Sequence, residues 1–113
     1  MNEPSDEELV ASVVVARNAA AFETLVRRYQ SKVRNWLRQL TKDAARADDL
    51  AQETFILAWR RASTFSGRGK FGSWIMKIAY NSYLQGLRKR KQHLRLVEAI
   101  GAGESEPTAP DTR

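Results

Sequence analysis

Apolar residues recur along the chain at spacings of three and four. Leu9, Val10, Val13 and Val14 form a short first stripe. Phe22, Leu25, Val26, Tyr29, Val33, Trp36, Leu37 and Leu40 form a longer second one, with Arg27, Arg28, Lys32, Arg34 and Arg38 on the other side. Leu50, Thr54, Leu57 and Ala58 mark a third inner face, and Phe71, Trp74, Ile75, Ile78, Ala79, Ser82 and Leu87 a fourth. Each pattern is one side of an amphipathic helix. No stretch alternates with a period of two, and no segment repeats. The predicted fold is all-α, a compact bundle of about four helices over residues 5–92.

Local signals punctuate these stripes. Ser5 is a predicted N-cap, with acids in the first turn and Glu8 placed to complete a capping box. Arg17-Asn18 interrupts the pattern, and Asn18 can cap the second helix. Thr41-Lys42-Asp43 breaks it again, with Asp43 as the third cap. Gly67, Gly69 and Gly72 crowd into Thr64–Gly72, a loop able to take positive φ or to bring a ligand near its backbone. Gly86, inside the fourth helix, costs about 1 kcal/mol against Ala. The helical signal weakens beyond Arg90. Residues 1–92 are therefore expected to be the folded domain and 93–113 a flexible linker or tail, with disorder expected from Gly101 onward.

Composition narrows the class. At 113 residues the chain is one domain, and 42% apolar content argues against wholesale disorder. No cysteine is present, which excludes disulfides and thiolate metal sites. No apolar run approaches a membrane span, and the acidic start MNEPSDEEL is no targeting segment. A cytoplasmic protein with no membrane association is expected.

The net charge of +6 is unevenly distributed. Residues 1–24 carry net −4, 25–62 net +5, 63–96 net +8 and 97–113 net −3. No carboxylate occurs between Thr54 and Val97. So unbalanced a block favours a polyanion, because binding releases counterions.

Catalytic chemistry has little support. His93 is the sole histidine and lies in a basic run without metal-ligand spacing. Asp49 and Glu53 share a helix face, but the Glu-x-x-His pattern of bundle metal sites is missing. The Ser66–Lys70 loop lacks the spacing of a phosphate-cradling P-loop. Neither an enzyme nor a cofactor or metal is expected. What remains is a basic block interleaved with Phe65, Phe71, Trp74, Tyr80 and Tyr83, the pairing that holds single-stranded nucleic acid. Phe71 and Trp74 fall on the apolar face and favour the core. Tyr80 falls away from that face, while Trp36 and Trp59 read as core or interface.

Three blocks now carry a resemblance: AAFETLVRRYQSKVRNWLRQLT, DDLAQETFILAW and TFSGRGKFGSWIMKIAYNSYLQGLRKR. The second, followed at this distance by FxxWIxxIAxN, is specific. From Asp6 to Gln92 the chain resembles the region-two domain of the extracytoplasmic-function (ECF) sigma factors of the sigma-70 family. The resemblance implies docking of the third helix on the clamp helices of the largest subunit of core RNA polymerase. The matching surface is Asp48, Asp49, Gln52, Glu53, Phe55, Ile56 and Trp59. It also implies recognition of the melted non-template strand of the −10 promoter element, with one base flipped into a pocket of the glycine loop. The matching residues are Phe65, Ser66, Gly67, Arg68, Gly69, Lys70, Phe71, Ser73, Trp74, Lys77, Tyr80 and Asn81, with Arg88, Lys89 and Arg90 on phosphate.

Departures bear on base preference. Many members carry an acid where this loop has Arg68-Gly69-Lys70, and an arginine where Tyr80 precedes Asn81. Gln85-Gly86 replaces a commoner acid–apolar pair. Full-length members continue to a second helical domain that reads the −35 element. An isolated region-two domain without −35 recognition is thus expected. The alternative is a helical interaction module whose main partner is an anti-sigma factor, itself an expected partner in the family. A duplex-binding helix-turn-helix fits poorly, because the glycine loop is long.

Overall fold

The computed structural model describes residues 3–65 and 70–103. Its elements are α1 (Asp6–Ala16), α2 (Ala19–Thr41), α3 (Ala44–Arg60), a single 3-10 turn (Ala62–Thr64) and α4 (Phe71–Gly103). No strand occurs among the described residues, so the fold is all-α as expected.

Local chemistry sets the helix starts. Ser5 and Glu8 form the capping box, each side chain accepting from the other's backbone N–H. Asn18 accepts from the N–H of Ala21, and Asp43 from that of Arg46. α1 and α2 end on residues in the left-handed region, Arg17 at φ 51° and Lys42 at φ 57°. Each turns its N–H back onto carbonyls of the last turn.

Two compact units divide the chain, Met1–Tyr83 and Leu84–Arg113. In the first, α2 and α3 fold back on each other across the Lys42-Asp43 break. The core joins Leu9 and Val13 of α1 to Leu25, Val33 and Leu37 of α2. Ala47, Ala51, Phe55 and Ala58 of α3 complete it with Phe71, Ile75, Ile78 and Ala79 of α4. Thr54 is fully buried, its hydroxyl donating to the carbonyl of Leu50 at 2.7 Å. A helix thereby hides a polar side chain without leaving it unsatisfied.

In the second unit the helix continues to Gly103 and leaves Leu94, Leu96, Val97 and Ile100 exposed. The first part of the expected linker or tail, from residue 93 to Gly103, is thus helical. The segment is rich in Leu, Lys, Arg and Gln, strong helix formers even where no apolar stripe demands a helix. The part of the expected tail from 104 to 113 lies outside the described residues.

Gly72 is also reassigned. It belongs to the first turn of α4, not to a loop. A Cβ there would lie 2.9 Å from Cε1 of Tyr29. Only glycine lets α4 start this close to α2.

Candidate functional site

The sequence pointed to two surfaces of opposite charge. The first is on α3. Asp48, Asp49, Gln52 and Glu53 are all exposed, as their helical phase requires. Asp48 pairs with Arg34 of α2 at 3.2 Å. Beside them Val26, Gln30, Ala51, Phe55 and Ile56 line an open groove of about 410 Å³. Ile56 is 51% exposed at its rim.

Two members of the expected docking set are committed elsewhere. Phe55 is only 9% exposed and belongs to the core, so it floors the groove and does not project from it. Trp59 packs on Phe22 with ring centroids 5.2 Å apart. The guanidinium of Arg17 covers its ring at 3.8 Å and donates to its carbonyl oxygen at 2.7 Å. That cation–π contact ties the end of α3 to the α1–α2 junction. The exposed members of the expected docking set are Asp49, Gln52, Glu53 and Ile56, together with Asp48, which pairs with Arg34.

The second surface begins at Phe65 and continues on α4. Residues 66–69, with Ser66, Gly67, Arg68 and Gly69, lie outside the described residues. On either side of them the structure builds an aromatic cluster. The Phe65 ring lies 5.2 Å from that of Trp74 and 6.2 Å from that of Phe71, and Phe71 lies 5.7 Å from Trp74. Phe71 is buried, so a base-stacking role for it gives way to holding the start of α4 in the core. Phe65 and Trp74 are half-buried, while Lys70, Ser73, Lys77, Tyr80 and Asn81 are exposed. Tyr80 is 42% exposed and its ring lies 5.8 Å from that of Trp36. Trp36 thereby extends the aromatic surface from α4 onto α2. In the second unit Arg88, Lys89 and Arg90 are exposed.

Tyr29 has a place that the sequence stripe did not reveal. Its hydroxyl donates to Asp6 of α1, and its ring meets that of Phe71 edge-on at 5.4 Å. Burial first, and then the Asp6 carboxylate, push its hydroxyl up to about 12. Arg28 holds the other oxygen of Asp6 at 2.9 Å and donates to the carbonyl of Pro4 at 2.6 Å. The one available signal was the residue type: a tyrosine on a buried stripe needs a partner for its hydroxyl. Nothing in the pattern named Asp6.

No group of three or more metal-ligating side chains occurs among the described residues, and no described helix is long and apolar enough to cross a membrane.

These features agree with comparison to known proteins. The model of the Sigma-70 region 2 family matches residues 25–93. The RNA polymerase sigma-H factor of Pseudomonas aeruginosa is 35% identical over 111 residues, which covers 98% of this chain and 53% of that protein. The ECF RNA polymerase sigma factor SigM of Mycobacterium tuberculosis is 34% identical over 92 residues, 81% of this chain and 46% of its own. The chain thus spans about half the length of these curated relatives. A solved structure, an engineered region 2 of sigmaE in complex with GTAAAA, aligns at a TM-score of 0.76 and 33% identity, covering 83% of this chain and 98% of that one. With four α-helices among its described residues and its specific α3–α4 blocks, the chain belongs to the sigma-70 family as a region 2 domain of the ECF type.

Proposed function

We propose that this chain gives RNA polymerase its choice of promoter at the −10 element and supports transcription initiation. The observation that carries the reading is its likeness, over 83% of its length, to an engineered region 2 of sigmaE solved in complex with GTAAAA. The charge map supports it, since the basic excess and the acidic face lie on different helices.

On this reading α3 docks on the clamp helices of core polymerase. Asp49 and Glu53 pair with cations of the partner while Ile56 makes the apolar contact. Phe65, residues 66–69 and Lys70 meet the melted non-template strand together with Ser73, Trp74, Lys77, Tyr80 and Asn81. One base is flipped out of the stack, which exposes edges hidden in the duplex. Backbone at Gly67 and Gly69 approaches it, and Arg68 and Lys70 reach base edges or phosphate. The amide of Asn81 both donates and accepts, as base reading needs. Arg88, Lys89 and Arg90 hold phosphate. The chain catalyses nothing itself. A second reading, a helical module for an anti-sigma factor, draws on the exposed Leu94, Val97 and Ile100.

Titration against a labelled GTAAAA strand, its single-base variants and the matching duplex tests the first reading. Single strand should bind more tightly than duplex, and a wrong base at a read position should weaken binding about tenfold. Asn81→Ala should compress that spread more than it lowers mean affinity. Preference for duplex, or equal binding of every strand, would sink the reading.

A further inference from the structure

The aromatic cluster has a polar end, and that end is Tyr29. Asp6 of α1 accepts from its hydroxyl and is itself held by Arg28. The ring thus has little freedom to turn. Against it lies Gly72, where a Cβ would come within 2.9 Å of the ring edge. Next to Gly72, Phe71 meets the same ring at 5.4 Å. Phe71 in turn contacts Phe65 and Trp74. The chain therefore enters residues 66–69 from one member of this cluster, Phe65. It leaves them one residue before another, Phe71. Tyr29 also sets how closely α4 can begin against α2, and Ser73, Lys77 and Asn81 all ride on that helix.

We propose that Tyr29, locked by Asp6, is a positioning residue for −10 recognition, holding the start of α4 and with it the proposed reading residues Ser73, Lys77 and Asn81. The proposal rests on the promoter-reading role argued above. It touches no base itself. Its effect is preorganisation: strand binding no longer has to order the reader. A ring that only filled space would contribute to stability and leave discrimination between strands unchanged.

The two roles separate in a double-mutant cycle on the full chain, with Gly72→Ala, Tyr29→Phe and the double variant. The readout is the affinity ratio between the preferred strand and its single-base variants, in the GTAAAA panel. Melting curves and salt dependence are recorded in parallel. Gly72→Ala presses a methyl on the tethered ring and should cut the ratio about fivefold, the scale of one ordinary hydrogen bond. The salt slope, set by phosphate contacts, should not change. Tyr29→Phe releases the ring from Asp6, so it can yield to the methyl. In the Gly72→Ala background it should restore part of the ratio. Strictly additive effects, or an unchanged ratio in Gly72→Ala, would overturn the proposal. If Gly72→Ala does not fold at the assay temperature, Asp6→Asn keeps the space at Gly72 and loosens the lock. It should compress the ratio by a smaller factor, and an unchanged ratio there would equally overturn the proposal. An unaltered chain that binds every strand alike would remove the promoter reading and this role together. A preference that survives every variant would remove this role alone.

Discussion

α3 and the part of α4 from Phe71 to Tyr83 both pack on α2, and they do so by different means. α3 buries three alanines, Ala47, Ala51 and Ala58, beside Leu50, Thr54 and Phe55, and the alanines let its backbone lie near its neighbours. α4 buries the larger Phe71, Ile75 and Ile78 beside Ala79 and Ser82, and at Gly72 an added Cβ would lie 2.9 Å from the Tyr29 ring. α3 starts on a capped end directly after the Lys42-Asp43 break, so its acidic face is placed by backbone geometry. The side of α4 proposed to read bases is placed by rings and one hydroxyl. A face of the first kind, proposed for docking, needs no partner to take its shape. One of the second kind depends on a few side chains, any of which can be altered singly.

The largest expected effect tests how α4 is held. Ile75 is wholly buried, so Ile75→Ala should remove about 2–5 kcal/mol of stability in a denaturant melt. A loss below 1 kcal/mol would mean that α4 does not depend on a few large side chains.

Next in size is the α3 face. Asp49 and Glu53 are exposed, so reversing both to Arg should shift stability by no more than about 0.5 kcal/mol per site. Binding to core polymerase should fall by about tenfold or more, measured by competition with the unaltered chain. Unchanged association would show that the preformed face has another use.

The smallest effect concerns pH. An unfolded tyrosine ionises near 10, whereas Tyr29 in the fold is raised to about 12. The folded state thus favours the protonated hydroxyl. Its contribution is complete below pH 10 and disappears as pH rises toward 12. Tyr29→Phe should flatten the stability curve between those values, by a modest amount because the hydroxyl is partly solvated. If the two curves stay parallel across pH 10–12, the Tyr29 hydroxyl is neither buried nor bonded to Asp6 in solution.

The legible parts of the fold were local. Ser5, Asn18 and Asp43 were readable as caps because each bonds a backbone N–H three residues away. The apolar stripes of α2, α3 and α4 were readable because period alone exposes them. Harder was the choice of neighbour. Phe55 and Ile56 are adjacent aromatic and aliphatic residues, and only the packing of α2 against α3 decides that the first goes inward. Trp59 read as core or interface, and nothing in the sequence showed that Arg17, distant along the chain, lies over its ring. Gly72 looked like one more loop glycine, because nothing in a string of residues shows that a tyrosine ring sits against it. The length of α4 was underestimated because amphipathic period was weighed above intrinsic helix propensity.

α1 lies before residue 25, where the family match begins. Its first turn nevertheless supplies the carboxylate that holds Tyr29. A fragment trimmed to the matched residues would keep every side chain proposed to touch DNA or polymerase. It would lose the capping box, Asp6 and the apolar cover of Leu9 and Val13. The sensible unit for expression, grafting or recombination between family members is therefore larger than residues 25–93, which the family model matches, with α1 and the matching tyrosine exchanged as a pair.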